Sequence, residues 1–333
     1  MTPDPAKSLP DNAARHAGRR SRPGARPAVL PGSVAGVFAD YETYLAQTDG
    51  QLDANTVRVY TSRVRQYLIW LAAALETGTF GGDPITDPGV RDQAVRAYRT
   101  HLSVVAKRKP ATINAHLIAV DDFYRRRGPG PAAAERLDVP RNAPRVLSER
   151  DQLRLLREAD RAPLRDKAIA FTAFYAGTRV GETVGLDIGD IHLSARHAHL
   201  IVRRGRNGTY REIPLHRKLR TVLAEWIHDR ATWKGAGDNP ALFLNHRGGR
   251  LSTRSAYTVL SAIADAADLP VGRDGIFTPR VLRHTAATTM SRHGTDIALV
   301  AELLGHSAET ARRYYQPNPQ DRQKAIERLT TDE

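Results

Sequence analysis

Gly177-Thr178-Arg179-Val180-Gly181-Glu182 sits where the chain changes character. Upstream of it, Ser148 and Asp151 stand at a capping-box spacing ahead of Leu153, Leu155 and Leu156, and a helical pattern runs on through Lys167 to Tyr175. Downstream come three short strand-like runs, Leu186 to Leu193, His199 to Arg204 and Thr209 to Leu215. Asn207-Gly208 separates the last two, and a type I′ hairpin turn needs two such residues at positive φ. Helical periods then return from Leu219 to Trp226, Arg254 to Ala267, Leu282 to His293 and Asp296 to Leu304. This part of the chain therefore reads as α+β, with helices around a small antiparallel sheet. Within the opening stretch, Arg179 precedes Glu182 by one helical turn, a spacing that suits an ion pair.

Working toward the N-terminus, Gly128-Pro129-Gly130-Pro131 breaks all periodicity, and residues 129–145 read as a linker. Residues 32–128 read as a bundle of four amphipathic helices without strands. Ser33 is placed to cap the first, with Val34, Phe38, Tyr41 and Leu45 on one face. Val57, Tyr60, Val64, Tyr67, Leu68 and Leu71 mark the second, and Val95, Tyr98, Leu102 and Val105 the third. Pro110, tolerated in a first turn, opens the fourth, which carries Ile113, Leu117, Val120 and Tyr124. Arg125, Arg126 and Arg127 close it, where cations suit exposed carbonyls. Residues 1–31 combine six prolines with Arg15, Arg19, Arg20, Arg22 and Arg26 and almost no large apolar side chain. They read as a disordered basic arm, which either follows a DNA backbone or is a solvated tail.

Composition narrows the chemistry. The 333 residues carry 50 Lys+Arg against 36 Asp+Glu, a formal charge of +14, which points to a polyanionic partner. Arginine supplies 43 of the 50 cations. Its planar fork suits phosphate, although an arginine-rich codon usage explains the ratio equally well; it does not explain the net charge. The absence of cysteine excludes disulfides, a thiolate nucleophile and zinc fingers, and there is no His-Glu-x-x-His motif. No apolar run approaches the roughly 20 residues of a membrane span, and the N-terminus lacks a secretion core, so no membrane association and a cytoplasmic, reducing location are expected.

Two further segments bear on function. In Arg280-Val281-Leu282-Arg283-His284-Thr285, Arg280 and Arg283 lie three apart, and two guanidinium groups on one helix face repel unless an anion such as phosphate lies between them. Leu303-Leu304-Gly305-His306-Ser307 ends a helix on a glycine stop, and Tyr314-Tyr315 follows, Tyr315 standing nine residues after His306. Together the three segments resemble the tyrosine recombinase (phage integrase) family. Its catalytic domain carries a Gly-x-Arg-x-x-Glu segment, a His-x-Leu-Arg-His box, a Leu-Gly-His-Ser segment and a tyrosine nine residues beyond that histidine. Here these read Gly177, Arg179 and Glu182; Leu282, Arg283 and His284; Leu304, Gly305, His306 and Ser307; then Tyr315.

The resemblance covers roughly Val146 to Pro317, and it implies a catalytic domain over 146–318 preceded by a SAM-like core-binding domain over 32–128. It implies double-stranded DNA as partner, four protomers acting on two duplexes, and strand breakage and rejoining through a 3′-phosphotyrosine without metal, cofactor or ATP. The outcome would be integration, excision or resolution of a mobile element. Tyr315 is the implied nucleophile, with Tyr314 its rival by position only. Arg179 and Arg283 are the implied phosphate ligands, His306 either adds a hydrogen bond to the same oxygens or helps to orient the nucleophile, and Glu182 and His284 are supports that hold the arginines. The family's tail packs on a neighbouring protomer, a role that falls here on residues 319–333 with Ile326 and Leu329.

Two positions depart from the family. Arg280 replaces the first histidine of the His-x-Leu-Arg-His box, and an arginine can still donate to phosphate. Arg206 occupies the hairpin position of a lysine that the family uses to protonate the leaving oxygen, and a guanidinium gives up its proton reluctantly, so either Arg206 stabilises the leaving oxygen while water supplies the proton or a lysine elsewhere, such as Lys234, fills in. These departures leave open a catalytically impaired DNA-binding accessory protein of the same fold; a strand-swivelling topoisomerase is a third reading.

Overall fold

The computed structural model describes residues 29–47, 52–128, 130–139, 144–203, 210–271, 275 and 277–314. Arg206, the Asn207-Gly208 turn, Tyr315, Ile326 and Leu329 lie outside the described residues, as do residues 1–28 of the basic arm. The described residues fall into two compact units on either side of residue 140.

The first unit is four helices: α1 (Gly32–Gln47), α2 (Ala54–Glu76), α3 (Pro88–Thr100) and α4 (Pro110–Arg126). Asp53 caps α2 by accepting from the amides of Asn55 and Thr56, and Asp87 does the same for α3 ahead of Pro88. Helix α1 begins at Gly32, so Ser33 lies inside the first turn instead of capping it. The faces read from periodicity are buried: Val34, Phe38, Tyr41 and Leu45 meet Val64, Tyr67, Leu68 and Leu71, with Ile113, Leu117, Val120 and Tyr124. At the centre the Tyr67 and Tyr124 hydroxyls lie 2.7 Å apart, so two buried polar groups satisfy one another. Val105 departs from expectation. Residues His101–Val105 form one π-helical turn, whose extra residue rotates the chain off the 3.6 period, and Val104 and Val105 are exposed.

In the second unit, Ser148 accepts from the Asp151 amide and caps α5 (Glu149–Arg161). The single helix expected through Tyr175 is broken. Pro163 lacks an N–H and holds Ala162 extended at ψ 159°, so α6 (Leu164–Tyr175) starts afresh. After the short α7 (Val180–Gly185), the first expected strand shrinks to β1 (Ile191–His192), because the Asp190 carboxylate takes the Asp187 amide and folds residues 188–190 into a 3₁₀ turn. Strands β2 (His199–Val202) and β3 (Arg211–Pro214) complete an antiparallel sheet of order β1-β2-β3, with Leu200 opposite Ile213 and Val202 opposite Arg211. In β3, Arg211 and Ile213 are buried while Glu212 and Pro214 are exposed, the alternation of a half-covered sheet.

Helices α8 (Arg217–Arg230), α9 (Thr253–Ala266), α10 (Pro279–Arg292), α11 (Ile297–Leu304) and α12 (Ala308–Ala311) follow. Phe171, Trp226, Phe243, Phe277 and Leu282 anchor the main core. A smaller cluster of Ala287, Val300, Leu304 and Tyr314 joins α10 to α11 and to the residues after α12. The fold is thus mainly α with a small antiparallel sheet, as read from the sequence. Among the described residues no helix is long and apolar enough to cross a membrane.

Candidate active site

The three chemistry-bearing segments converge on Glu182. Arg179 is the N-cap of α7; its amide donates to Glu182 Oε2 at 2.8 Å and its Nη1 to Oε1 at 2.5 Å. The ion pair expected from spacing is therefore present, reinforced by a backbone bond. Arg283, on α10 and only 4% exposed, has Nη1 at 3.8 Å from Glu182 Oε2. A third guanidinium, which sequence reasoning passed over, completes the ring: Arg211 reaches from β3 to donate Nη2 to Oε2 at 2.8 Å and Nη1 to Oε1 at 3.2 Å. The available signal for Arg211 was an arginine on the inward register of a short strand, where only a partnered charge is tolerated.

Opposite Glu182 lies the C-terminal end of α11, where the carbonyl groups of its last two residues and of the Gly305 cap each receive a different arginine. Leu303 O accepts from Arg211 Nε at 3.0 Å, Leu304 O from Arg283 Nη2, and Gly305 O from Arg179 Nη2 at 3.2 Å. Unpaired carbonyls at a helix C-terminus attract cations, so the arrangement follows from helix geometry. Two glycines make it fit. Gly305 turns the chain at φ 58°, and a Cβ there would stand 2.9 Å from Arg211 Nη1. Gly177, at φ 57°, accepts from Arg283 Nη1 at 2.8 Å, and a Cβ there would stand 2.6 Å from Leu304 Cδ2.

The turn at Gly305 delivers His306 to the arginines. Its Nε2 accepts from Arg283 Nε at 3.1 Å, which leaves the proton on Nδ1, a buried atom with no hydrogen-bond partner among the described residues. Burial and the Arg283 and Arg179 charges push His306 down to about 3, so the ring is neutral at neutral pH. His284, one residue past Arg283, lies with Nδ1 2.7 Å from the Tyr314 hydroxyl. Burial and the Arg280 and Arg283 charges push it down to about 4. Arg280 is exposed on the first turn of α10 and acts on His284 through its charge.

Burial would raise the Glu182 carboxyl, but the Arg211 hydrogen bonds and charge, with those of Arg179, outweigh it and hold Glu182 below the usual carboxylate range. Burial and the Arg179 charge lower Arg283 to about 9, which still leaves it cationic at pH 7. Three cations thus face one carboxylate. Such a centre favours an incoming anion, and its donors suit the non-bridging oxygens of a phosphate diester. Among the described residues no group of three or more His, Asp or Glu side chains is placed to hold a metal ion.

The phage integrase family profile matches residues 145–321. Tyrosine recombinase XerC of Roseiflexus castenholzii is 31% identical over 276 residues, covering 79% of this chain and 83% of that protein. Among solved structures, the XerH site-specific recombinase bound to palindromic difH substrate superposes with a TM-score of 0.66 at 19% identity, over 82% of this chain and 79% of that one. A lambda integrase tetramer bound to a Holliday junction superposes at 0.60 with 18% identity, over 90% and 79% of the two chains; these two likenesses speak for the fold. From the family match and the extent of the XerC identity, the chain belongs to the phage integrase, or tyrosine recombinase, family.

Proposed function

We propose that this chain is a site-specific DNA recombinase that breaks and rejoins strands through a 3′-phosphotyrosine at Tyr315, without metal or ATP. The observation that carries the reading is the convergence of Arg179, Arg283 and His306 beside a single carboxylate, Glu182. Arg179 and Arg283 would neutralise the non-bridging oxygens of the scissile phosphate, with His306 and Arg280 as further donors. Tyr315 gives up its phenolic proton to solvent, its Oη attacks phosphorus, the bond from phosphorus to O5′ breaks, and the 5′ oxygen leaves with a proton from water while Arg206 stabilises its charge. Phosphoryl bond energy is retained in the tyrosine ester, so a 5′-hydroxyl from another strand can reverse the step without ATP.

Double-stranded DNA is the partner proposed, in keeping with the net charge of +14 and with the DNA-bound XerH and lambda integrase structures. A four-protomer assembly is proposed on the likeness to the lambda integrase tetramer. Residues 32–128 are assigned to DNA binding and 146–318 to catalysis.

The test uses nicked duplexes that the protein itself selects from a randomised pool. Incubated in EDTA, wild type forms a protein–DNA adduct that survives detergent, and Tyr315→Phe forms none. DNA binding with no adduct from wild type would refute the proposal.

A further inference from the structure

We propose that Arg211 is a positioning residue for the phosphate-binding arginines: from β3 it saturates Glu182, so that this carboxylate orients Arg179 without closing on Arg283. The inference rests on the reading of Arg179 and Arg283 as phosphate ligands.

Burying a guanidinium is costly unless every donor it turns inward finds an acceptor. Arg211 has a side chain only 4% exposed, and the partners it finds are not those of a passive strand residue. Two of its nitrogens take both oxygens of Glu182, and the third takes Leu303 O. A carboxylate offers about four acceptor sites. On Glu182 these are occupied by the Arg179 amide, Arg179 Nη1, Arg211 Nη1 and Arg211 Nη2. Arg283 accordingly stands off at 3.8 Å and gives one N–H from each of its three nitrogens to Gly177 O, Leu304 O and His306, leaving the second N–H of Nη1 and of Nη2 for a substrate.

Remove Arg211 and two acceptor sites open on a buried carboxylate with two guanidinium groups beside it. Glu182 would then close on Arg283 and compete with the substrate phosphate for the same N–H groups. Arg211 also holds Leu303, two residues before the glycine turn that presents His306. One side chain therefore fixes the carboxylate and the backbone turn between which the other two arginines sit.

The test compares Arg211→Gln and Arg211→Lys with wild type on the same nicked, self-selected duplex. For Arg211→Gln the expected result is a circular dichroism spectrum and duplex affinity close to wild type with adduct formation about 10- to 100-fold slower, the scale of misplaced catalytic groups. Arg211→Lys should recover part of that loss, since an ammonium keeps the charge but cannot grip both oxygens. The acid limb of the cleavage profile should move to higher pH in Arg211→Gln, following Glu182, whose neighbours are Arg179, Arg283 and His306; a merely structural residue would not move it. Adduct formation by Arg211→Gln at the wild-type rate overturns the inference. If Arg211→Gln does not fold, Arg211→Lys carries the same comparison. A second measurement needs no DNA: carbon NMR titration of the Glu182 carboxyl, whose midpoint should rise in either variant and whose constancy also overturns the inference. Should wild type itself form no adduct, the phosphate-ligand reading fails, and this titration alone decides whether Arg211 governs Glu182.

Discussion

The Tyr314 hydroxyl lies 2.7 Å from His284 Nδ1, and the same ring stacks on His306 with centroids 5.5 Å apart and planes 18° apart. Tyr314 is thus buried and held by two histidines of the site. A phenol engaged in this way is a poor choice for attack on phosphorus. Tyr314→Phe should therefore still form the covalent adduct on a nicked duplex, at a reduced rate, while Tyr315→Phe should form none. Loss of the adduct in Tyr314→Phe together with its survival in Tyr315→Phe would exchange the two assignments.

Glu182 is the only acidic side chain among the described residues that pairs with Arg179, Arg211 or Arg283. Glu182→Ala leaves buried guanidinium groups without a counter-charge, and breaking a buried pair in this manner costs about 3–5 kcal/mol. Urea denaturation of the second unit's transition should show a loss of that size. A change below about 1 kcal/mol would mean that the carbonyls of α11 suffice to hold the arginines.

Acid should loosen the site before it protonates carboxylates. His284 and His306 have folded values of about 4 and about 3 against 6.5 when unfolded, so the folded state binds fewer protons. Their stabilising effect is complete above pH 6.5 and is lost as pH falls from there to about 4 for His284 and to about 3 for His306. Glu182, held low when folded, adds its own loss below its unfolded value of 4.5. Melting temperature should therefore begin to fall near pH 6.5, and a His284→Asn, His306→Asn double variant should flatten the slope between pH 6.5 and 4.5. An unchanged slope in that variant would assign the acid sensitivity to other groups.

The first unit offers a separate test. Tyr67→Phe or Tyr124→Phe alone strands the other buried hydroxyl, at about 1–3 kcal/mol. The double Phe variant removes both polar groups, so it should cost clearly less than the sum of the singles. Additive losses in chemical denaturation would show that neither hydroxyl depends on the other.

Binding to duplex DNA should weaken steeply with salt, since phosphate contacts release condensed counterions. Between 50 and 200 mM salt we expect at least about a tenfold fall in affinity, measured by fluorescence anisotropy. Flat binding over that range would contradict a backbone-tracking use of the positive surplus.

Local information went a long way in this chain. Pro110 opens α4 where its missing N–H costs nothing, and the apolar faces of the first unit are those read from periodicity. Ser148 caps α5, and Gly305 ends α11 at positive φ. What local reasoning missed were departures forced by neighbours in the chain: the break before Pro163, the π-turn at His101–Val105 and the Asp187–Asp190 turn that shortened β1.

By itself, then, the sequence determined which residues could do chemistry, because their order and spacing are properties of the chain: Arg179 with Glu182, Arg283 with His284, and His306. Only the tertiary structure decided that these residues meet at one carboxylate and one helix end, and that Arg211 joins them. The reason is physical. Spacing along a chain reports neighbours within a turn or a strand, whereas the acceptors that settle the buried Arg211 and Arg283 and the half-buried Arg179 include Glu182 on α7 and the carbonyls at the end of α11, elements more than 100 residues apart in the chain.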